Sequence, residues 1–315
     1  MENFNEYKQN QRMYGGTAGR KMGIDYKGDN YILKFPGNLK ELQMKNIQLS
    51  YSNSPVCEYI GSNIYQIFGI DVHETILGIR NDKVVTACKD FLGDADRLYE
   101  FDKIKVTFEP RFLDSNGHET NGVGLDLYEI LMTIEEHPFI VDIKEDVQAH
   151  FWRMFIVDAL IGNPDRNNSN WGIILRNNGI KEIAPVYDNG NCLNCKWDDD
   201  KMQLVLSDEG LLKAEAFTAR RCIFEINGKK INPYHLIQEM KYEGCNKELL
   251  RLVPNMMSKI NQVYEMIYSI SVLSEKQKEF YVNIIRLRFE EVIIPIYEKL
   301  ALRESNIVVE NERGR

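Results

Sequence analysis

The chain has 315 residues, enough for one large or two ordinary domains. Its 43% hydrophobic and 27% charged content is that of a globular protein. A net charge of −8 excludes a chain-wide basic footprint, so no direct nucleic-acid partner is expected, and no apolar run approaches the roughly 18 residues of a membrane span, so no membrane partner is expected.

The start, Met1-Glu2-Asn3-Phe4-Asn5-Glu6, lacks the charged and apolar regions of a signal peptide, and a cytoplasmic location is expected. Export by a route that needs no signal peptide would leave no such mark. Residues 1–13 are polar and are expected to be mobile. Gly15, Gly16, Thr17, Ala18 and Gly19 form a Gly-rich stretch. It does not fit G-x-G-x-x-G, yet its glycines would let backbone N–H groups approach phosphate oxygens; an ordinary flexible loop is the alternative. A strand over 23–26, a turn at Lys27-Gly28-Asp29-Asn30 and a strand over 31–36 follow. Lys34 is the lone charge of that second strand. Ser54-Pro55 opens a helix with apolar residues at Ile60, Ile64 and Ile67, and Glu58 lies on it. Strands over 74–79 and 83–91 join at Asn81-Asp82.

Residues 93–125 look loop-rich, with Asp114-Ser115-Asn116-Gly117 as one cluster, before a helix near 125–134. The stretch 151–160 is apolar nearly all round, which describes a buried helix, and Gly162 and Pro164 end it. His150 at its edge reads as a packed or hydrogen-bonded residue. Then comes Gly162-Asn163-Pro164-Asp165-Arg166-Asn167-Asn168-Ser169-Asn170-Trp171-Gly172, a strand over 171–176, the turn Asn177-Asn178-Gly179, a strand over 180–184, and Pro185-Val186-Tyr187-Asp188. With Asn178-Gly179 as a two-residue hairpin loop, Asn177 faces Ile180 and Asn170 faces Tyr187, one step from Asp188. Asn170 and Asp188 would then converge on one small cation, and Mg²⁺ suits such oxygen ligands. Asp165, anchored between a buried helix and a strand, would be the base. An Asp, an Asn five residues on and a second Asp across a hairpin are what phosphoryl transfer from ATP requires.

Within that frame Lys34 would contact the phosphates, Glu58 would pair with Lys34, and backbone groups at Cys88, Lys89 and Phe91 would meet adenine. Asp198-Asp199-Asp200 reads as a solvated acidic loop. From Tyr234 onward the chain reads as helical. Ser274 and Gln277 form a capping box, the stripe Tyr281, Ile285, Phe289, Val292, Ile296 and Leu300 packs inward, and Pro295 bends or interrupts its helix. The six cysteines are scattered, with Cys192-x-x-Cys195 the one close pair, and ordinary thiols are expected. None of the five histidines forms a ligand-spaced cluster.

The segments Tyr31-Ile32-Leu33-Lys34-Phe35-Pro36, Cys57-Glu58-Tyr59, Ala87-Cys88-Lys89-Asp90-Phe91, Asn163-Pro164-Asp165-Arg166 through Gly172 and Ala184-Pro185-Val186-Tyr187-Asp188 together resemble the HipA-type kinases, closest in style to their short, stand-alone bacterial cell-translocating members. The resemblance runs from about Gly15 to Leu193. It implies an α+β, two-lobed protein-kinase-like fold: a β-rich small lobe over 14–92 and a mainly helical large lobe over 93–315. It implies an ATP- and Mg²⁺-dependent Ser/Thr kinase of a protein substrate. Asp165 would be the base, Asn170 and Asp188 the Mg²⁺ ligands, and Lys34 the phosphate contact. Asn167 stands where family members often carry His. Only fourteen residues precede Gly15, so an antitoxin partner bound through an extra N-terminal region is not expected. Thr17 is the one hydroxyl residue of the Gly-rich loop and is the expected site of autophosphorylation. A kinase of a small molecule or lipid head group, and a nucleotide-binding pseudokinase, stay open as alternatives.

Overall fold

The computed structural model of the chain describes residues 1–14, 20–38, 52–108, 112–113, 119–120, 124–218 and 222–313, the side chains of 112–113, 119–120 and 307–313 excepted. The Gly-rich stretch 15–19 and the cluster 114–117 therefore lie outside the described residues.

A five-stranded sheet has the order β1-β4-β5-β3-β2. Its strands are β1 (Glu2–Asn3), β2 (Lys21–Tyr26), β3 (Asp29–Lys34), β4 (Thr75–Arg80) and β5 (Lys83–Lys89). Alternation in β2 and β3 turns Met22, Ile24, Tyr26, Tyr31 and Leu33 inward, where they meet Val85 and Ala87. The β2–β3 loop is tighter than the sequence suggests: Tyr26 pairs with Asp29, leaving Lys27 and Gly28 as a two-residue loop with φ of 51° and 94°. Asn81 and Asp82 make the same kind of loop between β4 and β5, with φ of 50° and 59°.

The first residues depart from expectation. β1 runs parallel to β4, Phe4 is fully buried in the sheet's core, and its N–H donates to Ile79 O at 2.9 Å. Arg80 donates to the Phe4 and Tyr7 carbonyls. The buried Phe4 ring, worth about 1.5–3 kcal/mol, adds to these bonds in holding an otherwise polar segment.

Helix α1 (Ser54–Ile67) starts with Pro55 in its first turn and buries Val56, Cys57, Ile60 and Ile64. These join the core of the helical portion, and Tyr65 Oη donates to Met154 O at 3.1 Å. Chain order continues with β6 (Arg97–Glu100), α2 (Phe101–Lys105), the paired β7 (Phe112–Leu113) and β8 (Glu119–Thr120), and α3 (Leu127–Glu136), capped by Asp126. Helix α4 (Lys144–Ile161) is buried on nearly every side, as its apolar sequence requires. Gly162 ends it in the left-handed conformation at φ 63°, and a Cβ there would lie 2.5 Å from Arg288 Nη1.

β9 (Gly172–Leu175) and β10 (Lys181–Ile183) form a second sheet with β6. Their register corrects the sequence reading. Leu175 pairs with Lys181 and Arg176 N donates to Ile180 O at 2.8 Å, so the loop has three residues, 177–179, rather than two. Gly179, at φ 82°, takes the left-handed position that closes such a loop. A one-residue slip exchanges the faces of a strand, and Asn170 does not pair with Tyr187.

The regular structure beyond β10 is helical apart from the short pair β11 (Glu225–Ile226) and β12 (Lys229–Lys230). Asp198 is not a loop residue but the cap of α5 (Asp199–Leu206), accepting from Lys201 N at 2.8 Å, and Asp199 and Asp200 fill the first turn, where the helix dipole favours them. Helices α6 (Glu209–Phe217), α7 (Pro233–Glu239), α8 (Glu243–Ser269), α9 (Glu275–Arg288) and α10 (Ile294–Arg313) follow. The capping box of Ser274 and Gln277 is present. Between α9 and α10, Phe289–Ile293 widens into a π turn just before Pro295, which has no N–H to offer the preceding turn. The stripe from Tyr281 to Leu300 is buried. No described helix is long and apolar enough to cross a membrane.

Candidate active site

A cleft of about 610 Å³ opens between the five-stranded sheet and the helical portion. Lys34, Cys88, Lys89, Phe91, Asn170 and Asp188 line it. Strand β3 places Lys34 at its end, β5 delivers Cys88 and Lys89, and the segments flanking β9 and β10 deliver Asn170 and Asp188.

Lys34 Nζ lies 2.8 Å from Glu58 Oε2 and 2.7 Å from Asp188 Oδ1. Burial works against the ammonium, but Glu58 and Asp188 outweigh it and hold the Lys34 pKa above its ordinary value. Glu58 is 1% exposed; burial opposes its charge, and Lys34 and His73 more than reverse this, leaving its pKa below the carboxylate range. Lys34 lowers that of Asp188 directly. His73 Nε2 is 3.0 Å from Glu58 Oε1 and 3.1 Å from Ser62 Oγ, so both Glu58 oxygens are engaged.

The loop after α4 folds on itself. Asp165 N donates to Asn163 Oδ1 at 3.1 Å, and Asn170 Nδ2 donates to Asp165 O at 2.8 Å. Asn191 Nδ2 donates to Asp165 Oδ2 at 2.6 Å. Asn167 Oδ1 accepts from Ser169 N at 2.9 Å, and its amide reaches Asp165 Oδ1 at 3.4 Å. The side chain at 167 thus shapes the loop through hydrogen bonds to Ser169 and to the Asp165 carboxylate, without a charge of its own. Asp165 stands beside the cleft, outside the residues that line it.

What joins Asn170 to the Asp188 segment is not a strand pair but Arg166. Its side chain is 1% exposed; Nη1 donates to Asn170 O at 3.0 Å and to Tyr187 O. Nε and Nη2 fork onto Asp158 of α4 at 2.7 and 3.2 Å, and Nη2 also reaches Asn189 Oδ1 at 2.5 Å. Burial disfavours the guanidinium, yet Asp158 holds its pKa above the usual arginine value. Tyr187 Oη adds a bond to Ser169 O at 3.0 Å. Sequence reading passed over Arg166, Asp158, Asn189 and Asn191. Asp158 did leave a signal: a lone carboxylate in an otherwise apolar buried helix needs a buried cation.

Three further expectations are refined. The Lys89 and Asp90 N–H groups already donate to Glu74 O and Asn30 O, both at 2.8 Å, so the backbone contact expected at Lys89 is limited to its carbonyl. The segment before the Gly-rich stretch also reaches the cleft: Arg12 Nη1 and Tyr14 Oη each lie 3.0 Å from Asp90 Oδ2. And although no histidines cluster in sequence, Glu58, His73 and Cys88 bring ligand atoms within 4.8 Å of one another. There the Lys34 ammonium already supplies the positive charge to Glu58. All six cysteines are free thiols.

The donor set fits Mg²⁺ with a nucleotide. Asp188 Oδ1 meets Lys34, and among the described residues Asp188 Oδ2 and Asn170 Oδ1 have no partner. Two hard oxygen donors at the wall of a cleft beside one ammonium match an ion that takes few protein ligands and completes its shell from phosphate and water.

No protein-family model matches the chain. It is 33% identical over 282 residues to the serine/threonine-protein kinase CtkA of Helicobacter pylori, covering 89% of this chain and 82% of that protein. The crystal structure of the Helicobacter pylori proinflammatory kinase CtkA superposes with a TM-score of 0.84 at 30% identity, over 95% of this chain and 97% of that one. A chain of the Shewanella oneidensis MR-1 complex of HipA, HipB and operator DNA shares the fold, with a TM-score of 0.53 at 11% identity over 92% of this chain and 69% of that one.

Proposed function

The chain belongs to the family of the serine/threonine-protein kinase CtkA and is a kinase of that class, and from that premise we propose that it transfers the γ-phosphate of ATP, as the magnesium complex, to Ser or Thr hydroxyls of a protein. The observation that carries this reading is the convergence of Lys34, Asn170 and Asp188 on one cleft, with Glu58 buried on Lys34 behind it and Asp165 fixed beside it.

We assign the region 14–92 to nucleotide binding and 93–315 to catalysis. Asn170 and Asp188 would hold Mg²⁺, which neutralises phosphate charge when bound. Lys34, steered by Glu58, places an ammonium where charge develops on the phosphates. Asp165 accepts the proton of the attacking hydroxyl and orients it, while Asn163 and Asn191 hold it in place. Phe91 and Tyr187, whose ring centroids are 5.7 Å apart, offer an apolar wall for the base. Autophosphorylation of Thr17, which lies outside the described residues, belongs to the same proposal: charge added in that loop would repel the ATP phosphates.

The test is incubation with γ-labelled ATP and Mg²⁺ beside Asp165→Asn, followed by phosphosite mapping. Expected is label on Ser or Thr in the wild type, Thr17 included, a loss of about a hundredfold or more in the variant, and unchanged ATP affinity. Full turnover in Asp165→Asn would overturn the assignment of the base. ATP binding without transfer to protein by the wild type would favour a small-molecule kinase or a pseudokinase.

A further inference from the structure

Between the Lys34–Glu58 pair and the loop that carries Asp165 lies one fully buried residue, Asn189. Its N–H donates to Glu58 Oε1 at 3.1 Å. Its Nδ2 donates to Ser62 Oγ at 3.0 Å on α1, one turn from Glu58. Its Oδ1 accepts from Arg166 Nη2 at 2.5 Å. Arg166 in turn holds the carbonyls of Asn170 and Tyr187. The side chain is pressed against α1 as well: a Cβ on Gly61 would come within 2.8 Å of Asn189 Cβ. An amide offers a donor and an acceptor on opposite sides, which a residue bridging a hydroxyl and a guanidinium needs.

We propose that Asn189 is a positioning residue that makes the placement of Glu58 and the placement of Arg166 interdependent, so that the phosphate-binding lysine and the metal- and base-bearing loop are set as one unit. This rests on the reading of the cleft given above. Glu58 and Arg166 are not bonded to each other; each is bonded to Asn189. Groups in one hydrogen-bond network respond non-additively to substitution, whereas groups merely sharing a fold do not. Asn189 itself has no place in the cleft lining, so its removal acts through these neighbours.

The experiment is a triple-substitution cycle with Glu58→Gln, Arg166→Lys and Asn189→Ala, read as kcat for transfer and as ATP affinity by titration. With Asn189 present, the combined effect of Glu58→Gln and Arg166→Lys should fall short of the product of the separate effects by about threefold or more. With Asn189→Ala, the two effects should multiply to within about twofold. Asn189→Ala alone should lower kcat by about tenfold and leave KM for the protein substrate unchanged. Should Asn189→Ala fail to fold, Ser62→Ala removes the bond of the Asn189 side chain to α1, together with the Ser62–His73 bond, and should shrink the coupling in the same direction. Independent effects in the presence of Asn189, or coupling that survives both Asn189→Ala and Ser62→Ala, would overturn the inference. A wild type that binds ATP without transferring phosphate would refute the kinase reading, and the affinity cycle would still decide this one.

Discussion

Lys34 Nζ and Asp188 Oδ1 meet at 2.7 Å across 154 residues of sequence, and Glu58 Oε2 shares the same ammonium at 2.8 Å. Lys34→Met should therefore do two things. It leaves Glu58 buried with His73 as its one ionisable partner, which costs about 3 kcal/mol in urea unfolding. It also removes the phosphate contact, and transfer should fall about a hundredfold in the labelled-ATP assay. A variant with wild-type stability would show that the triad is not the buried pair its geometry describes.

Asp188→Asn keeps the shape of the segment and removes its charge. Titration of ATP with increasing Mg²⁺ should then show affinity weakened by about tenfold, and transfer by more. Chelation of divalent metal should abolish transfer by the wild type and change ATP affinity in Asp188→Asn far less.

Arg166→Lys retains a cation but loses the fork onto Asp158 and the bonds to Asn189 and the two carbonyls. A loss of about 2–4 kcal/mol is expected, measured by urea unfolding, because the Asp158 carboxylate stays buried with a poorer partner. Asp158→Asn should be of similar size, and the double variant should cost less than the sum.

His150 gives a pH prediction. It is buried, and burial first, with the positive charges of Arg166 and Arg153 second, pushes its pKa down to about 4. The unfolded chain binds a proton near pH 6.5, the folded chain only near 4, so the neutral ring's contribution is complete above about 6.5 and is lost as the pH falls toward 4. The slope is at most about 1.4 kcal/mol per pH unit in that window. His150→Gln should flatten it in urea unfolding at pH 5 and pH 7. The Lys34–Glu58–Asp188 triad acts elsewhere. Its lowered carboxylate pKa values give stability that is lost only below the ordinary carboxylate range, and its raised lysine pKa gives stability lost only in strong base.

Much of this was legible in the chain. The buried helix α4, its end at Gly162 and strands β2 to β5 follow from apolar periodicity and turn chemistry, and Lys34, Glu58, Asn170 and Asp188 were singled out by the pattern of oxygen and amine side chains that a kinase needs. Such signals are local: they depend on residues within a turn or a strand of one another. The loop length at 177–179 and the cap at Asp198 were misread because two local solutions compete there, and backbone pairing decides between them. What joins the parts was not legible. Phe4 in the sheet's core, Arg166 on the carbonyls of Asn170 and Tyr187, and Asn189 between Glu58 and Arg166 are contacts between segments far apart in sequence. An Asn or Arg in a polar loop looks the same whether it faces water or bridges two buried groups. Tertiary structure decides, because removing such a group from water is tolerable only where every donor and acceptor it carries finds a partner.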